Sequence, residues 1–448
     1  MSLDRLLVIG AGPVGLGMAS ALKANGIAYD QVEANDGVGG LWYKGVYATV
    51  RLNSSKRSTA YADYPMPADY PDYPNRAQML RYLQAYANDR DLLGQIEFNR
   101  RVVLAAPRDD DSWRIAFADG EERNYKGVVI CNGHHWDPIR PTIPGSFAGK
   151  IIHSKDYQSP SDLAGKRVVV IGAGNSGCDI ASESARVAAR CDWSLRDGYW
   201  LMPRSAFGRA LSDLPIWSLP VVIQRPILKA IIRVTIGDYR AYGLKRPSHK
   251  MFERHPAFGD EALSYVKSGS ITPRPPIERV DGNTVYFADG SSGEFDLIIT
   301  ATGYHISFPF LPEGLIKNVN GVPQLRAAAF ADDVKNLYVV GAGQPRNGFG
   351  AVLTPVADFY AKMIRMQDEF DVPVGVVLKW VGEGIPTTHL VNPTAARRSV
   401  WIGQRVLPLL RVMGRMISRY HKRQSLAIAE KHSSGVVQHH DDGARPAA

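Results

Sequence analysis

Two glycine turns of the form G-x-G-x-x-G constrain this chain more than any other feature, because each follows a short apolar segment and precedes a helix-forming one. The first turn spans residues 10–15 after the apolar segment 5–9, and the second spans residues 172–177 after Arg167–Ile171. Glycines in this setting allow a tight turn, and the helix that follows can direct its N-terminus at a pyrophosphate. A single match is weak evidence, since such turns also occur without ligands. Two matches in the same setting predict two dinucleotide-binding units.

The end of the next strand indicates which nucleotide the first turn binds. A strand predicted at residues 28–32 is followed by Glu33, which lies 23 residues beyond Gly10. At about this distance an acid accepts hydrogen bonds from ribose hydroxyls. The plainer alternative is a solvated carboxylate at a strand end. An acid here suits an adenosine without a 2′-phosphate, and therefore FAD or NAD.

The second turn is followed by a cation instead. Residues 191–195 form a predicted strand with Ser194 and Arg196 at its end, and Arg196 lies 24 residues beyond Gly172. A cation at this place selects a 2′-phosphate, which favours NADPH over NADH. Asp197 beside it could hold a ribose diol instead, and Arg196 could be an ordinary surface residue.

The bulk composition argues against several other classes of protein. Of 448 residues, 45% are hydrophobic and 22% are charged, as in soluble globular proteins. The net charge is +9, but residues 391–448 hold ten Lys/Arg and three Asp/Glu, or +7, which leaves +2 for the rest. The body therefore has no basic face suited to nucleic acid.

Cysteine and histidine usage gives no sign of a metal site. The three cysteines form no C-x-x-C and no metal-binding spacing, and we expect them to be small buried residues in a reducing compartment. His134 and His135 are adjacent and would point apart in a strand, so no metal pair is expected. The N-terminus leads directly into an apolar strand rather than a signal peptide, and no apolar run reaches the roughly 20 residues that span a bilayer. A cytoplasmic protein is expected.

Two helical regions carry no motif. The segment 214–236 is apolar and interrupted by three prolines, which predicts a pair of amphipathic helices that pack, line a substrate entrance or touch a membrane. Near the C-terminus, cations repeat every four residues on one helical face and apolar residues occupy another, and Pro408 is expected to break this helix from the one before. These positions are Arg411, Arg415, Arg419 and Arg423, and Leu409, Met413, Met416 and Tyr420. Docking on the body, a dimer contact and a surface on anionic lipid all fit it, whereas the polar residues 432–448 are predicted to be disordered.

The order of the motifs resembles the flavin-containing monooxygenases. The linker FAGKIIHSKDY, residues 147–157, fits that family's F-x-G-x-x-x-H-x-x-x-[YF] pattern. The matching positions are Phe147, Gly149, His153 and Tyr157. Around the linker stand GAGPVG, GGLW, LNSSK, YADYPMP, GAGNSG and ATGY in the family's order. The resemblance covers roughly residues 5–365 and is highly specific, but it does not extend to the insert at 205–270.

The resemblance implies an α/β fold with two Rossmann-like domains, one for FAD and one for NADPH, the second inserted in the first. The implied domains are 1–158 and 301–390 for FAD, 159–300 for NADPH with a helical insert at about 205–270, and 391–448 for a basic helical extension with a disordered tail. Together with the motifs, the resemblance predicts these cofactor-binding residues: Gly10, Gly12, Pro13, Gly15, Glu33, Gly40, Leu41, Trp42, Asn53, Val103, Gly172, Gly174, Asn175, Ser176, Gly177, Ser194, Arg196, Thr302 and Asn347.

The resemblance also implies an activity. NADPH reduces FAD, reduced FAD adds O2 at C4a, and the resulting hydroperoxide oxygenates a soft nucleophile of a small molecule, which is nitrogen, sulfur or an indole carbon. Asn53 matches the family's asparagine beside the flavin and is the predicted catalytic residue, whereas an asparagine that caps the local turn is the plain alternative. His153 is expected to couple the two domains rather than to act on substrate. The expected assembly is a homodimer.

Other functions stay open at this point. The related Baeyer–Villiger oxygenases have Trp followed by Pro or Asp where this chain has Tyr157-Gln158, and usually an arginine–cysteine–aspartate run where it has Leu52-Asn53-Ser54. Both departures favour heteroatom oxygenation over ketone insertion. A flavin-dependent electron-transfer reductase and a non-catalytic nucleotide-binding protein are the alternatives from other classes.

Overall fold

The computed structural model describes the backbone of residues 2–436 and the side chains of residues 3–424. Its sheet strands are, in chain order, β1 (Ser2–Ile9), β2 (Tyr29–Val32), β3 (Ile96–Glu97), β4 (Val102–Pro107), β5 (Trp113–Phe117), β6 (Glu122–Ile130), β7 (Gly145–Phe147), β8 (Lys150–His153), β9 (Arg167–Ile171), β10 (Arg190–Ser194), β11 (Thr272–Arg274), β12 (Ile277–Gly282), β13 (Thr284–Phe287), β14 (Ser292–Glu294), β15 (Leu297–Thr300) and β16 (Leu337–Val339). Its α-helices are α1 (Pro13–Ala24), α2 (Lys56–Thr59), α3 (Arg76–Asp89), α4 (Asn175–Val187), α5 (Val221–Thr235), α6 (Asp260–Lys267), α7 (Gly350–Met366), α8 (Val374–Trp380) and α9 (Pro393–Val436). Two-residue strands also pair Asp137–Pro138 with Tyr304–His305, Leu201–Met202 with Ala257–Phe258, Ser205–Ala206 with Arg209–Ala210, Asn318–Val319 with Val322–Pro323, and Gln344–Pro345 with Leu390–Val391.

The first large sheet has seven strands in the order β3-β2-β1-β6-β5-β4, with β16 beside β6. Strands β1, β2, β3, β6 and β16 run parallel to one another, whereas β4 pairs antiparallel with β5 and β5 pairs antiparallel with β6. Helices α1 and α7 pack together on one face. Since both faces of the central strands are covered, their sequences are continuously apolar, as in Leu6–Ile9 of β1.

The second large sheet is built from a later part of the chain. Its order is β11-β10-β9-β15-β8, and every pair is parallel. The small sheet β14-β13-β12-β7 packs against it. The chain thus leaves the first sheet after β6, builds the second sheet, and returns to the first at β16. The predicted mixed α/β architecture with a helical C-terminal segment is confirmed.

Helix α9 docks on the body. A Cβ atom at Gly403 would lie 2.7 Å from the Phe359 ring, and one at Gly414 would lie 2.2 Å from the Phe370 ring. Leu410, between them on the same side, is 5% exposed. Glycine is therefore needed where α9 crosses α7 and the turn that follows it.

Three predictions for the helical regions were wrong. The segment 214–236 forms one α-helix, α5, with Pro226 inside it, preceded by a single turn at Pro215–Ser218. Pro408 does not break the C-terminal helix, because α9 runs through it to Val436. Residues 432–436 are consequently helical, and the rest of the predicted disordered tail, 437–448, lies outside the described residues.

The cysteine and metal predictions can be compared with the described part of the chain. Cys131, Cys178 and Cys191 are free and buried, as predicted. Among the described residues, no cluster of His, Cys, Asp or Glu has the arrangement of a metal site. No helix in this part of the chain has both the length and the hydropathy needed to cross a bilayer.

Candidate active site

The first glycine turn lies at the carboxyl end of β1. Gly10 has φ +106°, and a Cβ there would lie 2.6 Å from the carbonyl oxygen of Cys131. At Gly15 a Cβ would lie 2.0 Å from the carbonyl oxygen of Gly10, so neither position accepts a side chain. Pro13 takes the first position of α1, where its missing N–H leaves no helical bond unmade. The N-terminus of α1 is thereby free to face an anion.

Glu33 is fixed beneath this turn and is only 5% exposed. Its Oε2 accepts a hydrogen bond from Ala11 N at 2.8 Å, and its Oε1 accepts one from Asn35 N at 2.9 Å. Oε1 also accepts a hydrogen bond from Asn35 Nδ2 at 2.8 Å, so Oε2 is the oxygen that keeps a further lone pair. The carboxylate therefore supports the turn, and its predicted ribose contact is compatible with these bonds.

The Gly-Gly-Leu-Trp segment lies directly on the first turn. Gly40 has φ +56°, and a Cβ there would lie 3.0 Å from the Cα of Gly12. The backbone then forms a single wide turn, Leu41–Gly45, which carries Leu41 and Trp42. The two glycine segments therefore pack backbone to backbone, which brings Leu41 and Trp42 to the predicted FAD site.

Two buried amide oxygens mark the centre of the site. Neither Asn53 Oδ1 nor Asn347 Oδ1 has a hydrogen-bond partner among the described residues. Asn347 Nδ2 donates to the Ser212 carbonyl at 3.0 Å, and Ser55 N donates to Ser212 Oγ at 2.9 Å. The loops of both asparagines therefore meet at the same serine of the insert. Buried polar groups are normally paired, so these oxygens suit a polar ligand between the loops.

The second glycine turn has the same geometry at the carboxyl end of β9. Gly172 has φ +115°, and a Cβ at Gly177 would lie 2.1 Å from the carbonyl oxygen of Gly172. In contrast, a Cβ at Gly174 would meet no described atom within 4 Å, so open space lies before the turn. Asn175 and Ser176 open α4, and Asn175 Oδ1 accepts a hydrogen bond from Phe258 N at 3.0 Å. This turn fits a pyrophosphate, and the insert is tied to it.

The predicted phosphate-binding residues differ in their surroundings. Ser194 is 2% exposed and its Oγ donates to the Pro275 carbonyl at 2.9 Å, so its side chain is engaged by the protein itself. The Arg196 side chain is 80% exposed. Asp197 Oδ2 lies 3.5 Å from Arg196 Nε and 3.5 Å from Arg254 Nη1. The two guanidinium groups flank one carboxylate, and Arg254 is a residue that sequence reasoning missed because it lies in the insert with no motif around it.

The remaining two predicted residues lie apart from these turns. Val103 is 49% exposed on β4, at the edge of the first sheet and three strands away from β1. Thr302 follows β15, and its Oγ1 donates to the Ile139 carbonyl at 2.5 Å. Thr302 thus joins the two chain segments that cross between the sheets. Its predicted contact and that of Val103 with a cofactor stay predictions.

Helix α4 connects the second sheet to the first part of the chain. Asp179 Oδ2 accepts a hydrogen bond from the Tyr47 hydroxyl at 2.8 Å, and its Oδ1 pairs with Arg204 Nη2 at 2.8 Å. One turn further along, Glu183 accepts hydrogen bonds from the hydroxyls of Thr49 and Tyr157. Burial raises the pKa of Asp179 although Arg204 and the Tyr47 bond act in the opposite direction. This network is a part-buried polar contact between the two halves of the chain.

An open cavity of about 650 Å³ lies beside this network. It is lined by Ala48, Thr49, Arg51, Tyr73, Asn75, Ala77, Asp179, Glu183, Arg186, Arg204 and Glu261. None of the predicted cofactor residues lines it, and Asp179, Glu183 and Glu261 are already bonded to described partners. We therefore describe it as a cleft between the two halves rather than as the flavin site.

Three histidines lie near the crossing between the two sheets, of which His153 is fully buried and His134 and His135 are half-buried. The His134 and His135 rings lie 4.1 Å apart, so the expectation that they point apart was wrong, because the chain bends after β6 instead of continuing as a strand. Burial lowers the pKa of both side chains. His153 is fully buried at the end of β8, and its ring lies 5.0 Å from that of Tyr304. Its position between the segments that join the sheets agrees with the predicted coupling role.

Comparison with known proteins gives the family. Residues 3–353 match the profile of the flavin-binding monooxygenase-like family. The chain is 30% identical over 439 residues to flavin-containing monooxygenase 3 of Rattus norvegicus. The matched region covers 86% of this chain and 81% of the rat protein. The solved flavin-containing monooxygenase from Stenotrophomonas maltophilia is 23% identical, with a TM-score of 0.61 over 82% of this chain and 99% of that one. A steroid monooxygenase bound to NADP is 20% identical, with a TM-score of 0.64 over 82% and 86% of the two chains.

These two structures show likeness of fold, whereas the family profile and the rat relative share sequence over most of the chain. The two glycine turns agree with this result, because each has the backbone geometry that a dinucleotide cofactor requires. The chain therefore belongs to the flavin-containing monooxygenase family, and it is an FAD-containing, NADPH-dependent monooxygenase.

Proposed function

We propose that the protein oxygenates a soft nucleophile of a small molecule, which is nitrogen, sulfur or an indole carbon, with O2 as the oxygen source. The observation that carries this proposal is the pair of unpartnered oxygens, Asn53 Oδ1 and Asn347 Oδ1, on loops that meet at Ser212. Leaving such groups buried and unpaired costs free energy. A flat ring with polar edges, such as the flavin ring, would satisfy them when seated between the loops.

The path of the chain supports the proposed division into domains. Residues 1–158 and 301–390 would hold FAD, because the first sheet contains both β1 with its glycine turn and the returning strand β16. Residues 159–300 would hold NADPH, with the insert 205–270 covering the site. Residues 391–448 would form the basic extension.

Within this arrangement the side chains position groups and exclude water. Bound FAD supplies hydride acceptance and oxygen activation, which no amino-acid side chain provides. The N–H groups at the starts of α1 and α4 would bind the two pyrophosphates. Asn53 would hold the flavin edge and the oxygen-bearing side of the site through its amide. Ser212 ties the insert over both loops, which keeps water from the reacting atoms.

Replacement of Asn53 by alanine tests its proposed role. We expect Asn53→Ala to bind FAD normally, because the glycine turns are untouched, but to lose product formation by about 10²-fold or more, the usual effect of removing one positioned donor. NADPH oxidation should then yield H2O2. Flavin absorbance, product analysis and peroxide measurement report these separately. Asn88→Ala, at an exposed asparagine of α3, is the matched control. Full coupled turnover by Asn53→Ala would remove this residue from the site.

The class of substrate atom is decided by a panel of amines, sulfides, indoles and ketones, with NADPH oxidation and H2O2 followed together. Product from amines or sulfides but not from ketones is the expected result. Stopped-flow mixing of the NADPH-reduced enzyme with O2 tests the predicted C4a route, since an electron-transfer reductase would show no transient flavin species. Ketone insertion as the main activity would contradict the proposal.

We further propose that the outer face of α9 rests on an anionic membrane surface, as a peripheral contact of a cytoplasmic protein. Leu409, Val412 and Met416 on this face are 58%, 53% and 63% exposed. Eight cations and no acid lie between residues 393 and 424. Arg411 and Arg415 pair with Glu369 of the body, and the other six are Arg397, Arg398, Arg405, Arg419, Lys422 and Arg423. Two copies joined through this face would bring like charges together, whereas anionic lipid attracts both parts of it.

Vesicle co-sedimentation tests the membrane contact. The full chain should pellet with vesicles rich in phosphatidylserine at low salt, and the double variant Val412→Asp/Met416→Asp should not. Val319→Asp, at a 53% exposed valine outside α9, should pellet like the parent protein. Absence of binding by the parent protein would end the proposal. Light scattering tests the predicted homodimer, and a dimer abolished by the α9 variant would assign this face to a second copy instead.

A further inference from the structure

Arg346 is a part-buried cation that the cofactor assignments leave unused. It lies in the loop between β16 and α7, one residue before Asn347. Its Nε and Nη1 are closed off from solvent and have no hydrogen-bond partner among the described residues. Burial of a guanidinium without an anion is costly, and burial lowers the pKa of Arg346, as does the nearby Arg225. A group with this cost calls for a ligand of opposite charge.

The side chain of Arg346 packs against an aromatic residue of the insert, beside Asn347. Its guanidinium carbon lies 4.7 Å from the centroid of the Phe252 ring, and the Trp217 ring lies 6.0 Å from Phe252. Phe252 has φ +73°, a strained conformation for an aromatic residue that persists only where the surroundings impose it. Arg346 N donates to the Val391 carbonyl at 3.1 Å, so the segment that precedes α9 closes the other side. The insert and the C-terminal segment therefore hold Arg346 rigidly.

The titratable side chains near Arg346 include Arg225 and two histidines, and burial favours the uncharged form of the histidines. Burial lowers the pKa of His255 and of His389, and Arg346 lowers that of His255 further. Arg225 donates through Nε to the Met251 carbonyl at 3.0 Å. Asp213, the acid on the turn beside Ser212, accepts a hydrogen bond from Ser55 and forms no ion pair with Arg346 within the described side chains. Arg346 thus has no acidic partner among the described side chains.

The cofactor phosphates have other binding groups. We assign the two pyrophosphates to the glycine turns at the starts of α1 and α4. We assign the 2′-phosphate to the predicted Arg196 together with Arg254, because both guanidinium groups lie beside Asp197. Arg346 lies instead next to Asn347, where the substrate would approach the flavin. The anion that it binds is therefore expected to belong to the substrate.

We propose that Arg346 binds the carboxylate of the substrate, and that the protein oxygenates a sulfide or amine that carries a carboxylic acid. This inference rests on the proposed function. For a sulfide acid the balanced reaction is R–S–R′ + O2 + NADPH + H⁺ → R–S(O)–R′ + NADP⁺ + H2O, in which NADPH supplies two electrons and one oxygen atom reaches sulfur. The carboxylate is unchanged and serves for recognition, since a planar guanidinium binds it through two parallel hydrogen bonds.

A matched pair of substrates tests the inference by turnover. We expect 3-(methylthio)propanoate to have a higher kcat/KM than its amide in the parent enzyme. Arg346→Met should lower kcat/KM for the acid about 10- to 100-fold, mostly through KM, and change that for the amide little. Arg346→Lys should recover part of the loss. Arg279→Met, which removes a cation stacked on Tyr286 in the small sheet, is the matched control and should leave both substrates unaffected.

A binding measurement separates this inference from the proposed function. Butanoate, which contains no oxidisable atom, should perturb the flavin absorbance of the oxidised parent enzyme, whereas butanamide should not, and Arg346→Met should abolish the effect of butanoate. Butanoate binding without oxygenation of any sulfide or amine would refute the proposed function and keep the anion site. Oxygenation of the amide in preference to the acid would refute the inference and keep the function. An Arg346→Met enzyme with a raised KM for NADPH and unchanged discrimination would assign Arg346 to the cofactor and also overturn it.

Discussion

Replacement of Arg254 by alanine is a demanding test of the NADPH site, because no sequence motif marks this residue. The Arg196 and Arg254 side chains are 80% and 48% exposed on either side of Asp197. A charge-assisted hydrogen bond contributes about 1.5–3 kcal/mol, and solvent exposure brings the value toward the lower limit. We therefore expect Arg254→Ala to lower kcat/KM for NADPH about 10- to 30-fold. NADH, which has no 2′-phosphate, should react at an unchanged rate.

The cluster of Arg196, Asp197 and Arg254 also predicts an effect of opposite sign on the use of NADPH. The Asp197 carboxylate repels a phosphate and neutralises part of the flanking charge, so Asp197→Ala should raise kcat/KM for NADPH several-fold. Initial rates with NADPH and NADH, at low and raised salt, measure both variants, and the loss in Arg254→Ala should shrink as salt screens the parent's contact. Arg279→Ala serves as a remote control. Equal losses for NADPH and NADH, independent of salt, would refute the assignment of Arg254 to the 2′-phosphate.

Two further predictions concern stability. Gly414→Ala adds a Cβ 2.2 Å from the Phe370 ring, and overpacking costs about 1–3 kcal/mol, against a gain of about 1 kcal/mol in helix propensity. A lower melting temperature is expected, whereas Ser399→Ala on the exposed side of α9 should not lower it, and a more stable Gly414→Ala protein would contradict the docking of α9. For pH, burial lowers the pKa of His134 and His135 below their ordinary 6.5, so the unfolded chain binds more protons in acid. The stability that the uncharged rings maintain is complete well above pH 6.5, as at about pH 7.5, and falls by at most about 1.4 kcal/mol per ring at about pH 5.5. Urea unfolding at the two pH values should show this loss, and it should diminish in a His134→Gln/His135→Gln variant.

The parts of the fold that follow from local sequence could be predicted. Strand β9 was predicted with its observed bounds, because a buried parallel strand is a short, continuous apolar run that ends at glycine. The glycine turns at Gly10 and Gly172 could be placed for the same reason, since few residues adopt their positive φ. FAD and NADPH as cofactors, and the monooxygenase family, are confirmed by the comparisons.

The parts that depend on contacts between distant residues could not be predicted. Pro408 was expected to end a helix, but it lies on the exposed side of α9. The buried residues Leu410 and Ile417, which follow it, hold the helix to the body. Arg254 reaches Asp197 from the insert, 57 residues further along the chain, with no periodicity to announce it. The isolation of Arg346 is likewise a property of what surrounds it in three dimensions.

The contacts of Asp179 and Glu183 have a consequence for how the enzyme releases its nicotinamide product. Helix α4 starts at the NADPH turn, and within two turns it is fastened to Tyr47, Thr49 and Tyr157. A rigid-body rotation of the whole nucleotide-binding half would have to break these hydrogen bonds at the same time. Oxidised NADP should therefore leave by local loosening of its own pocket, so that its residence time is set there and not by a hinge between the halves.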